Sequence, residues 1–133
     1  MNKYNFELEK YFVDKCIVKE KKDRIRYELT NLKKRNRCID RFSHNCKTFL
    51  VNDCLKTNSI DECISLIKKN VKNQEMYCVS MYDLVPQTAK IEDIKSYFEA
   101  TSSPLIMISH NVIIIKEEFE YRFAAYVFVF NVK

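Results

Sequence analysis

No glycine occurs anywhere in this 133-residue chain, where average usage of about 7% would supply roughly nine. Glycine is the default residue wherever the backbone takes a positive φ or lets a ligand approach it closely. The Walker loop, the Rossmann fingerprint and the nucleophile elbow all depend on it. Three widespread nucleotide-binding and hydrolase devices are therefore excluded. Tight turns must rest instead on Asn, Asp and Ser.

Hydrophobic residues make up 47% of the chain and charged residues 31%, a balance that supports a packed core rather than disorder. The length predicts one domain over 1–133, with a helical half over about 1–72 and a sheet half over about 75–133. The first ten residues carry Lys3, Glu7, Glu9 and Lys10 without an unbroken apolar run, so no export signal is read there. Apolar runs such as Ala124–Phe130 are too short to span a bilayer. We therefore expect a cytoplasmic protein with no membrane contact and with reduced thiols.

The six cysteines are Cys16, Cys38, Cys46, Cys54, Cys63 and Cys78. Their spacings contain no C-x₂-C or C-x₄-C pair, and neither histidine sits near a cysteine pair, so no zinc site and no cofactor is expected. Buried structural thiols are the natural reading. Cys38, crowded by Lys and Arg, is the candidate for a thiol of lowered pKa.

Hydrophobic spacing supplies the element order. Tyr4, Leu8, Tyr11 and Phe12 predict a helix over Lys3–Val13. Ile25, Leu29 and Leu32 suit a second helix, although the alternation Ile25, Tyr27, Leu29 would equally suit a short strand. Leu32, Ile39, Phe42, Cys46, Phe49 and Leu50 predict a long helix over about Asn31–Asn52, with Asn31 as its N-cap. After a polar turn at Lys56–Asn58, Ser59 followed by Glu62 reads as a capping box. Ile60, Cys63, Ile64, Ile67 and Val71 continue it as a helix expected to pack antiparallel to the long one.

From Glu75 the texture changes. Met76–Met81 reads as a strand and Tyr82–Lys90 as a loop. Ile91, Ile94 and Phe98 read as a helix capped near Thr88. Leu105–Ser109 and Val112–Lys116 flank His110-Asn111 as a hairpin, and Tyr121–Val132 reads as a long strand. The predicted class is α+β: N-terminal helices packed with a mainly antiparallel C-terminal sheet carrying one further helix.

Charge is unevenly distributed. Twelve Lys or Arg stand against four Asp or Glu between Lys15 and Lys47, whereas eight acids face three lysines between Glu75 and Tyr121. On the expected long helix, Lys33, Arg37, Arg41 and His44 recur at four, four and three. Such a stripe can hold phosphates, or it can be the solvated face that any amphipathic helix needs. His44 beside Arg37 and Arg41 is also the thinnest outline of a metal-independent ribonuclease. The acids Glu117, Glu118 and Glu120 cannot all converge on a cation from one strand, because alternation sends Glu117 to the other side; we read them as a face for a basic partner.

These features favour a non-catalytic protein-interaction module, immunity- or antitoxin-like, that binds another protein through segregated charged surfaces. RNA or DNA binding through the basic stripe is the second expectation, and the ribonuclease is the third. If the last strand lies at a sheet edge, it offers a route to a homodimer.

Overall fold

The computed structural model describes residues 4–71, 75–80, 87–100, 105–117 and 123–130. Four helices come first: α1 (Phe6–Cys16), α2 (Lys19–Thr30), α3 (Arg35–His44) and the single turn α4 (Cys46–Phe49). Then follow β1 (Leu55–Thr57), α5 (Ile60–Asn70), β2 (Glu75–Ser80), β3 (Gln87–Lys90), α6 (Ile91–Ala100), β4 (Leu105–Ile108), β5 (Val112–Lys116) and β6 (Ala125–Val129). Among the described residues the strands form one sheet in the order β1-β6-β5-β4-β2-β3, and every neighbouring pair is antiparallel. The fold is α+β, as the sequence predicts. No described helix is long and apolar enough to cross a membrane.

Alternation along the strands builds two cores. Tyr77, Val79, Ile106, Ile108, Ile113, Ile115, Tyr126 and Phe128 project to the face covered by α1–α4, where they meet Phe12, Ile25, Leu29, Ile39, Phe42 and Phe49. Their neighbours Met76, Cys78, Leu105, Met107, Val112, Ile114, Ala125 and Val127 project to the other face and meet Cys63, Ile67, Ile94 and Phe98 of α5 and α6. The unbroken run Val112–Ile115 is apolar at every position because β5 is buried on both sides. Each fully buried Ile or Val contributes roughly 1.5–3 kcal/mol relative to exposure, so this central strand is a main source of stability.

This layering corrects one expectation. The long helix and the Ser59 helix do not pack together: α3 and α4 lie on one face of the sheet, while α5 packs on α6 on the other. The polar stretch at Lys56–Asn58 is the reason. It is not simply a turn; Leu55, Lys56 and Thr57 pair with Val127, Tyr126 and Ala125, so β1 carries the chain along the sheet edge and across to the far side.

The long helix is also shorter than expected at both ends. Asn31 closes α2, its N–H donating to the Tyr27 and Glu28 carbonyls, and its Oδ1 accepts the Lys33 N–H at 3.1 Å. α3 begins only at Arg35, and Asn45 (φ −141°, ψ 42°) interrupts it before α4. The α2 segment is helical rather than a strand. Residues 87–90, expected in a loop, form the edge strand β3, and Thr88 pairs with Tyr77 instead of capping α6. Among the described residues β6 is flanked by β1 and β5, so the last strand is not the edge strand that the sequence allowed for.

Two expectations hold in detail. Ser59 accepts the Glu62 N–H at 3.1 Å and caps α5, while its own N–H donates to Thr57 Oγ1 at 3.1 Å, so the Ser59 half of the capping box is the half that forms. The β4–β5 hairpin turns at His110-Asn111 without glycine because Ser109 Oγ accepts the N–H groups of Asn111 and Val112, at 3.3 and 3.0 Å.

Candidate interaction surface

The four-helix layer is the basic side of the molecule. Between Tyr4 and Phe49 thirteen Lys or Arg stand against seven Asp or Glu, whereas α5 and α6 together carry five acids and three lysines. The charge asymmetry along the sequence thus also separates the two faces of the sheet.

Within that layer, α2 and α3 combine into one surface. On α2, Arg24, Tyr27, Glu28 and the closing Asn31 share a face by their spacing of three, one and three. Arg24 Nε reaches Glu28 Oε1 at 3.4 Å, and Asn31 Nδ2 donates to the Tyr27 hydroxyl at 3.3 Å. On α3 the corresponding face is Lys34, Arg37, Arg41 and His44. Two contacts join the faces: Arg41 Nη2 donates to Glu28 Oε1, and the Lys34 ammonium lies 5.2 Å from the centroid of the Tyr27 ring.

The start of α3 is held from below. Arg35 points inward, its guanidinium buried on Glu9 and donating to the Leu29 carbonyl at 2.9 Å, so Lys34 and Arg37 on either side are left exposed. Leu32 and Lys33, in the turn between α2 and α3, are exposed as well.

The feature that sets this surface apart is apolar. Tyr27 is 55% and Leu32 59% exposed, two of the four large hydrophobic side chains standing in solvent among the described residues. Scattered exposed apolar groups are ordinary. Here, however, they are set among cations, and Tyr and Arg are the residue types enriched where proteins bind one another.

The predicted site residues fare differently. Lys33 and Lys34 both precede α3, Lys34 as its N-cap residue, and both are exposed ahead of Arg37, Arg41 and His44. Arg37 is exposed and has no ion pair among the described residues. Arg41 is committed to Glu28, and His44 Nε2 lies 3.1 Å from Asp40 Oδ1. Arg41 and His44 thus each face an acid of the protein itself, whereas among the described residues Arg37 does not.

Glu117 is half-buried and accepts a hydrogen bond from the Tyr126 hydroxyl. Glu118 and Glu120 lie outside the described residues. Among the described residues no group of three or more His, Cys, Asp or Glu is placed to hold a metal ion.

None of the six thiols is in a disulfide, and all but Cys54 are buried. Cys38 shows which effect wins. Burial raises its pKa and Glu28 adds to the rise, while Arg41, Arg35 and Arg24 lower it; the balance is upward, to about 11. The surrounding cations do not produce a reactive thiolate, and the expectation for Cys38 is corrected.

Sequence reasoning missed Tyr27, Leu32, Lys34 and Glu28. The spacing Arg24–Glu28 and Tyr27–Asn31–Lys34 was a usable signal for one shared face, but only with α2 assigned as a helix and the turn placed after Asn31. Compared with protein-family models, curated proteins and solved structures, the chain finds no match.

Proposed function

We propose that this protein is a non-catalytic interaction module that binds another protein through the α2–α3 surface. One observation carries the reading: Tyr27 stands exposed with the Lys34 ammonium 5.2 Å from its ring centroid, and Leu32 stands exposed next in sequence to the exposed Lys33 and Lys34. Apolar side chains ringed by polar ones form the centre of protein–protein contacts, where they exclude water and supply most of the binding energy. A partner masked in this way, as by an immunity protein or antitoxin, would be inhibited simply by being covered.

Nucleic-acid binding keeps one observation in its favour, the stripe of Lys34, Arg37 and Arg41. Against it, Glu28 sits inside the basic surface and neutralises Arg24 and Arg41 in part. Leu32 also offers nothing to a phosphate.

A tagged copy of the chain, purified from a lysate of its source organism in low salt, separates the two. The expected result is one stoichiometric protein that survives nuclease digestion and is lost with the Leu32→Asp variant. Co-purified material that disappears with nuclease and depends on Arg37, but not on Leu32, would establish nucleic-acid binding instead.

A further inference from the structure

Resting on that reading, we infer that the occupant of the α2–α3 surface is an acidic protein segment that carries an apolar side chain among its carboxylates. The cations of the surface fall into two groups. Arg24 and Arg41 share Glu28 and are already partly neutralised. Lys33, Lys34 and Arg37 have no acidic partner among the described residues, and all three are exposed. Carboxylates are the complement of this second group, and Arg37 can take one through two parallel hydrogen bonds.

Tyr27 and Leu32 set the second requirement. They lie at the end of α2 and in the turn after it, between Arg24 and the free cations in sequence. A purely acidic chain would leave both wet. A segment with a Leu, Ile, Phe or Trp would cover them and shield the flanking ion pairs from water. In the lower dielectric that results, each pair strengthens.

The α6 helix of a second copy is a poor occupant, because its exposed acids Glu92 and Asp93 flank the buried Ile91 and Ile94. Glu28 disfavours a phosphate backbone, whose charges repeat without interruption.

The test is selection from a random peptide library displayed on phage against the immobilised full-length chain. Enriched peptides are then synthesised with a fluorescent label and titrated by anisotropy. The expected sequences are rich in Asp and Glu around at least one large apolar residue. Changing that residue to Ser, or all peptide acids to their amides, should each weaken binding by about tenfold or more. Protein variants Leu32→Ser and Arg37→Gln alter exposed side chains only, and their folding is checked by circular dichroism. Each should weaken the same peptides.

Neutral or basic peptides that still depend on Leu32 and Arg37 would overturn the acidic occupant while leaving a protein-binding surface in place. Peptides that bind both variants as tightly as the unaltered chain, or no enrichment at all, would overturn the surface itself. Displacement of the acidic peptides by a thymidine oligonucleotide of equal charge would overturn the choice of a protein over a nucleic acid.

Discussion

Arg35 and Glu9 meet through two parallel hydrogen bonds of 2.5 Å, Nη1 to Oε1 and Nη2 to Oε2, with side chains 5% and 3% exposed. Tyr77 donates to Glu9 Oε2 at 2.5 Å, its own oxygen accepts the Asn5 N–H at 3.0 Å, and the Arg35 guanidinium lies 4.7 Å from the Tyr4 ring centroid. Burial pulls the Arg35 pKa down, but the hydrogen bonds and charge of Glu9 more than offset it, and the net direction is up. One ion pair thus ties α1 to the start of α3 and, through Tyr77, to the sheet. It sets where the exposed residues beside Arg35 stand.

Removing one partner leaves a buried charge without its complement. Glu9→Gln or Arg35→Met should each destabilise the protein by about 3–5 kcal/mol, measured by urea unfolding. The double change Glu9→Leu with Arg35→Met should recover most of that loss, because the desolvation cost vanishes with both charges. Two single losses that simply add would show that the pair is not coupled.

Stability should fall in alkali before any surface group explains it. Burial first of all raises the thiols of Cys38, Cys46 and Cys63 from 9.0 to about 11, about 12 and about 12. Their folded values lie above their unfolded ones, so the contribution is complete below pH 9 and is lost as pH rises toward 11–12. Urea midpoints should be level below pH 9 and drop steadily above it. A Cys63→Ala variant should flatten part of the drop. A midpoint unchanged well above pH 9 would contradict the burial of these thiols.

Much of this architecture was legible in the chain, for reasons that can be named. Ser59 and Glu62 announced α5 because a capping interaction is local, and His110-Asn111 announced its hairpin because two β-rich runs flank so short a turn. β1 left no comparable signal. Leu55, Lys56 and Thr57 are too few and too polar to look like a strand until Val127, Tyr126 and Ala125 are beside them. Missing that strand put α3 and α5 on the same face. The two-sided burial of β5 was written in Val112–Ile115, but a short apolar run does not say what covers each side. Where the basic stripe meets α3 was not legible, since whether Asn31 opens one helix or closes another depends on the turn it makes. That Arg41 and His44 face acids of the protein itself depends on how α3 meets α2 and on an (i, i+4) contact within α3, and composition alone cannot supply either.

The Ser59 cap is worth testing because α5 anchors the second core. Ser59→Ala removes the acceptor of the Glu62 N–H and should cost about 1 kcal/mol, whereas Ser59→Gly should cost only a few tenths. Equal losses for the two variants, read from the same urea curves, would assign the effect to something other than the cap.

Glu28 should act as a brake on the surface it occupies. Glu28→Gln removes one negative charge shared by Arg24 and Arg41. A unit charge about 4 Å from a carboxylate is worth roughly 1 kcal/mol in water, or about fivefold in affinity. Acidic peptides should therefore bind this variant several-fold tighter, with the gain shrinking in high salt, while its unfolding midpoint falls. Unchanged affinity in anisotropy titrations would place the binding site elsewhere.

The most direct test of the account compares two charge-reversed forms of the protein in one capture experiment. Leu32→Asp with Arg37→Glu alters the α2–α3 surface; Lys68→Glu with Lys69→Glu alters exposed residues of α5 on the opposite face of the sheet. The partner protein retained by the unaltered chain should be lost from the first form and kept by the second. Retention by the first form, or loss from both alike, would contradict a binding site built on Tyr27, Leu32 and their neighbouring cations.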